Sequence, residues 1–226
     1  MRILTTLRTK LANNRGIPLG ALAAKTGSYL RESAAALVYL RQCDWVGTNA
    51  RVVGVPRVVN AGHITLGHDV RIISRWTPVE LSAGPRGTLT IGDGTSMNYG
   101  TLIAAADRVS IGQRVMIGNY CVIADTRVPG SPADATDVPR PIEIGDDVWL
   151  AVRVTVLPGS KIGAGAVISA GSVVDGEIPP GVLAGGVPAR VLQGSLRPPS
   201  LPDLREGVPR DSRGVVPGDA VDRARP

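Results

Sequence analysis

This chain of 226 residues contains no phenylalanine, three Trp and four Tyr. That scarcity argues against a globular core organised around rings, because aromatic side chains supply the largest buried areas of such cores. Cysteine is nearly as rare. Cys43 and Cys121 lie far apart with no metal-like spacing, so they read as reduced thiols rather than as a disulfide framework. No stretch approaches the ~20 consecutive apolar residues that a membrane span requires. The N-terminal MRILTTLRTKLANN breaks into Arg and Lys before an apolar signal region can form, so the expectation is a cytoplasmic chain. Basic runs interleaved with aromatics are also missing, which argues against a nucleic-acid partner. The net charge of +6 leaves phosphorylated small molecules and anionic lipid open as partners.

What the chain does have is aliphatic residues in a fixed rhythm. Ile144, Leu150, Val156, Ile162, Ile168 and Val174 recur at six-residue spacing. Four places after each rung stand Val148, Val154, Ser160, Ala166, Ser172 and Ile178, mostly small or β-branched. Neither a 3.6-residue helix nor a simple strand alternation gives this period. A short repeat of this kind is the sign of a solenoid, in which every turn buries the same inward position against its neighbours. Three hexads close one triangular coil that rises roughly 4.8 Å, the parallel strand spacing. Gly145, Ala151, Gly163 and Ser169 supply small residues for the corners.

Three regions follow. Residues 1–50 read as a helical arm, with Leu4, Leu7 and Leu11 on one helical face and Leu30, Ala34, Leu37 and Arg41 on another. Ser28 is a candidate N-cap of the second helix, and Pro18 with Gly20 marks the break between the two. Up to Arg41 the arm is basic with a single acid, Glu32. Two readings stay open for it: an amphipathic segment lying on an anionic membrane surface, or a cap on the open end of the solenoid. Residues 51–194 form the repeat domain. Its rungs start at Val52, Val58 and Ile64, shift to Leu66 and Ile72, and meet an irregular insertion near Pro78–Gly87. They resume at Ile91, Met97, Ile103 and Val109, slip by two to Ile111, Ile117 and Ile123, and stop. Residues 124–141 carry no rung and contain Pro129, Pro132, Pro139 and Pro141, so they form an excursion loop. Residues 195–226, proline-rich and without aromatics, read as a disordered tail.

The segment IGDDVWLAVRVTVLPGSKIGAGAVISAGSVV, followed by IPPGVLAGGVPARVL, resembles the left-handed β-helix, hexapeptide-repeat acyltransferases, above all those that acetylate sugars, antibiotics and glycans. The resemblance covers about residues 50–194. It implies an all-β fold, a left-handed parallel β-helix, assembled as a homotrimer. It also implies acetyl-CoA or another acyl-CoA as co-substrate, no metal, and a small-molecule acceptor whose hydroxyl or amine attacks the thioester. On the same basis Asn98, in MNYG, is expected on the acceptor side. Trp149, Ala151, Gly171 and Ser172 are expected along the pantetheine arm, and Arg190, in GVPAR, near the nucleotide phosphates, where charge-assisted bonds are strong.

One feature departs from the family pattern. Relatives with this spacing carry a histidine beyond an IADT motif; here Ile123-Ala124-Asp125-Thr126 is followed by Arg127, Val128 and Pro129. The only histidines, His63 and His68, stand some three coils earlier, roughly 14 Å along the axis by strand spacing. A general base must come within about 3 Å of the proton it takes. Two histidines separated by five residues also occur on zinc in the γ-class carbonic anhydrases of this fold. Catalytic zinc, however, takes three protein ligands, and a symmetric trimer only repeats the same two. A second departure is Ala151-Val152, where small Gly-Ala pairs are usual in the family. Asp125 is the nearest candidate base; its alternative is to close a turn on backbone N–H groups. The functional alternatives are therefore an acyltransferase with another base and a catalytically silent scaffold or binding module.

Overall fold

The computed structural model of the protein describes residues 19–126 and 138–194, with side chains from Thr26 onward. The chain winds into a left-handed parallel β-helix with three faces. The first face stacks seven strands: Trp45–Val46, His63–Leu66, Thr88–Ile91, Arg108–Ile111, Ile142–Ile144, Lys161–Ile162 and Glu177–Ile178. On the second lie Arg51–Gly54, Arg71–Ser74, Ser96–Met97, Met116–Ile117, Trp149–Leu150, Val167–Ile168 and Leu183–Gly186, closed by Ala189–Gln193 as an antiparallel edge. The third face comprises Arg57–Asn60, Glu80–Ala83, Leu102–Ala105, Val122–Ala124, Thr155–Val156 and Val173–Val174.

The aliphatic ladder is the core. All six rungs from Ile144 to Val174 are buried, and so are all six residues four places after them. Each large aliphatic removed from water in this way contributes about 1.5–3 kcal/mol. The apparent two-residue slip between Val109 and Ile111 has a simple cause. Both belong to the strand Arg108–Ile111, whose alternate residues point inward, and both are buried. The irregular segment near Pro78–Gly87 is likewise more regular than its sequence. It holds the third-face strand Glu80–Ala83, with Val79 and Leu81 fully buried, followed by the turn through Gly84 and Gly87. The solenoid also begins at Trp45, ahead of the boundary drawn at residue 51.

The helix Leu19–Tyr39 packs on the N-terminal end of the solenoid through Ala36, with Leu40 just beyond it; both belong to the hydrophobic core. Two details of the sequence reading are corrected. Ser28 lies inside this helix and does not cap it. The face Leu30, Ala34, Leu37 and Arg41 is the exposed one. The smaller Ala36 faces the coil and allows close approach, whereas Leu37 is 82% exposed. Tyr29 fastens the helix from the side: its hydroxyl donates to Asn49 Oδ1 at 3.3 Å, and the Arg51 guanidinium sits 5.6 Å from its ring centroid. Among the described residues no helix is long and apolar enough to cross a membrane. Leu4, Leu7, Leu11, most of the excursion loop (including Arg127 and Pro129) and the tail 195–226 lie outside the described residues.

Candidate active-site edge

The corner joining the second face to the third is one continuous ladder of main-chain bonds. The N–H groups of Asn98, Gly118, Ala151 and Ser169 donate in turn to Ile117, Leu150, Ile168 and Ala184, at 2.8–3.0 Å. Beside them, Gly100, Tyr120, Arg153 and Gly171 donate to Thr77, Tyr99, Asn119 and Val152. The corner therefore places Asn98, Ala151 and Gly171 along one edge. Trp149, 39% exposed, stands on the second-face strand that enters this corner. Arg190 pairs with Gly185 on the closing strand, so it lies at the C-terminal end of the same line. Its guanidinium is exposed, and Nη1 donates to the adjacent Ala189 carbonyl at 2.8 Å.

Ser172 differs from its neighbours. It is buried, and its Oγ accepts from the Gly186 N–H at 3.1 Å, so the hydroxyl holds the coil together from inside. Gly171 beside it is exposed with φ +71°, and a Cβ there would meet nothing within 4 Å. The outward surface at this point is therefore backbone and small side chains, Ala170 and Gly171, flanked by the larger exposed Val152.

Asp125 stands apart, at the corner joining the third face to the first. It is fully buried. Its Oδ1 accepts from the Ala106 N–H, and its Oδ2 from those of Asp107 and Arg108, each at 2.7 Å. Its carbonyl also accepts from the Arg140 N–H at 2.8 Å, joining the two described ends of the excursion. This is the geometry of a turn-closing carboxylate, with both oxygens directed at the main chain.

The histidines are engaged elsewhere. His63 lies two strands before Arg108 on the first face, with Nδ1 3.5 Å from Asp44. The Ile64 N–H, then the Asn60 side-chain amide, hold the Asp44 carboxyl below the usual carboxylate range. His68 Nδ1 accepts from the Thr48 N–H at 2.9 Å, and its ring meets Trp45 edge to face.

Two features of the edge escaped the sequence reading. Cys121 is buried beneath it, and its thiol donates to the Ala151 carbonyl at 3.1 Å. Burial pushes this thiol up from its ordinary 9.0 to about 11. Trp76, Tyr99 and Tyr120 form a column of rings on successive coils, with centroids 4.9 and 5.5 Å apart and each pair edge to face. The available signal was an Asn-Tyr pair at 98–99 that recurs at 119–120.

A triangular coil of stacked parallel strands with small residues at its corners defines a hexapeptide-repeat solenoid. The family model described as bacterial transferase hexapeptide (six repeats) matches residues 141–176. The putative lipopolysaccharide biosynthesis O-acetyl transferase WbbJ of Escherichia coli (strain K12) is 32% identical over 158 residues, 64% of this chain and 79% of that protein. The chain belongs to the hexapeptide-repeat acyltransferase family. The galactoside O-acetyltransferase of E. coli (strain K12) is 35% identical over 122 residues, 51% of this chain and 58% of that enzyme. Among solved structures, a variant of AntD, an N-acyltransferase from Bacillus cereus, in complex with dTDP and coenzyme A, shares the fold. Its TM-score is 0.52 and its identity 20%, covering 69% of this chain and 86% of that one.

Proposed function

We propose that the protein is a CoA-dependent acyltransferase, moving an acetyl or related acyl group to a hydroxyl or amine of a sugar-like or natural-product acceptor. The observation that carries this reading is the alignment of Asn98, Trp149, Ala151, Gly171 and Arg190 on one edge of a solenoid whose relative WbbJ is named as an O-acetyl transferase. The edge fits the shape of a CoA arm. Ala151, Ala170 and Gly171 leave room for a slender chain beside Trp149, and the exposed guanidinium of Arg190 suits a phosphate. Acyl-CoA supplies the activated thioester. The acceptor oxygen or nitrogen bonds to its carbonyl carbon, the carbon–sulfur bond breaks, and the acceptor's proton leaves with the CoA thiol or to water.

Within this reading Asn98 positions the acceptor. Asp125, sequence candidate for the base, is better suited to holding the turn, because three N–H donors already occupy its oxygens. A neutral amine needs no base for its attack, and for such an acceptor positioning alone supplies much of the rate. The competing reading is a catalytically silent scaffold or binding module. It is favoured by Pro129 standing where family members carry a histidine, and by the distance of His63 and His68 along the chain. We further propose a cytoplasmic homotrimer.

Calorimetry with acetyl-CoA on the purified chain, followed by thiol release with pooled sugar and amine acceptors, separates the readings. Binding with turnover supports the transferase. Binding without turnover, restored by Pro129→His, supports a silenced enzyme. Absence of binding removes the acyltransferase reading.

A further inference from the structure

We infer that the column Trp76–Tyr99–Tyr120 is a stacking platform for an extended glycan, so that the acceptor is a chain of sugars rather than a monosaccharide. This rests on the acyl-transfer reading for the identity of the reaction, but not for the binding itself. The first observation is exposure. In a chain with three Trp and no Phe, Trp76 is 71% exposed and Tyr120 43%, while no aromatic ring is buried among the described residues. Large rings left in water beside a candidate site mark a binding surface.

A second, independent observation is which side chain stands at the corner. Tyr120 has φ +57°, the left-handed turn that Gly100 (+72°) and Arg153 (+58°) also adopt on the coils to either side. The backbone is the ordinary one for this corner, so it is the ring that sets Tyr120 apart. Glycine would occupy this corner at no steric cost; the tyrosine there instead carries its ring over the preceding coil.

Composition of the rim supplies the third. Asn98 and Asn119, each directly before a tyrosine of the column, are half-buried, and their side-chain amides make no hydrogen bond among the described residues. The Thr77 hydroxyl and the Tyr120 phenol lie 3.3 Å apart along the same rim. Aromatic faces take the C–H face of a pyranose, and a free amide, both donor and acceptor, meets its hydroxyls. Three rings on three successive coils span ~10 Å by strand spacing, more than one sugar covers. The column straddles Asn98: Trp76 lies one coil towards the N-terminal end and Tyr120 one coil towards Ala151. The reacting unit of the glycan would thus sit between Tyr120 and Asn98, on the side of Ala151, and its remaining units towards Trp76.

The test uses the purified full chain on an array of unbranched oligosaccharides of common hexoses, deoxyhexoses and N-acetylhexosamines, one to four units long. Acetyl-CoA calorimetry is run in parallel. Binding should strengthen with chain length in at least one series. Trp76→Ala should weaken it about tenfold, the effect of removing one aromatic anchor, and leave acetyl-CoA binding unchanged. Tyr120→Gly, which suits the left-handed corner, should weaken glycan binding without lowering Tm. The proposal is overturned if no series binds, if monosaccharides bind as well as tetrasaccharides, or if Trp76→Ala binds like the parent. It also fails if Trp76→Ala sediments as a smaller species, because the rings would then be covered by a second copy of the chain. Glycan binding without acetyl-CoA binding would sink the transferase reading and keep the platform.

Discussion

The ring of Tyr120 lies over Gly100, one coil earlier, so closely that a Cβ on Gly100 would run into its Cδ1 and Cε1. Both residues have positive φ, +57° and +72°. Gly100→Ala therefore incurs two costs: the left-handed backbone, about 1–2 kcal/mol for a non-glycine residue, and displacement of the ring. Gly171→Ala, at φ +71° with open space around it, bears only the first. Thermal unfolding of the two variants should show the larger drop for Gly100→Ala. Equal drops would mean that the ring moves aside freely.

Asp125→Ala should destabilise the fold strongly. It strips partners from three main-chain N–H groups in a site with no exposure, at about 1–3 kcal/mol for each group left unpaired. Urea unfolding measures this. An Asp125→Ala variant as stable as the parent but without turnover would instead return the residue to the role of base.

Both cysteines should resist alkylation in the native state. Burial pushes Cys43 and Cys121 from 9.0 to about 11, so very little thiolate exists near pH 8. Iodoacetamide labelling at pH 8 should be slow until guanidinium is added. The sign of the linked stability follows. Between pH 9 and about 11 the unfolded thiols lose protons that the folded ones keep, so stability is intact below that window and falls as pH rises through it.

Leu40→Ala and Leu37→Ala separate the two faces of the N-terminal segment. Leu40 is 2% exposed and joins the core, so its truncation should cost about 2–5 kcal/mol. Leu37 is 82% exposed, and its loss should stay within about 0.5 kcal/mol. Denaturant midpoints report both, and a reversed order would mean that the segment docks by its other face.

The core was legible in the sequence because a solenoid repeats one packing environment. The rungs from Ile144 to Val174 share one buried environment, so burial leaves a period in the chain. The edge was legible only in part. Asn98, Trp149, Ala151, Gly171 and Arg190 carry motif positions and fall on one line. Ser172 sits in the same motif yet turns inward, because inward and outward positions alternate at a corner by single residues. The helix face was misread for a similar reason. Leu30 and Leu37 carry the stronger apolar signal, but Ala36 allows the closer approach to the coil.

The sequence alone determined the triangular coil, the three-faced stacking and the aliphatic interior, since all three follow from a six-residue period and local strand geometry. Only the tertiary structure decided what the outward residues do. Which corner a residue occupies depends on how many residues each preceding corner spends, and that count is invisible until the strands pair. Pairing set Trp76, Tyr99 and Tyr120 in one column from three separate stretches of chain, and it turned Asp125 towards three backbone donors of the preceding coil.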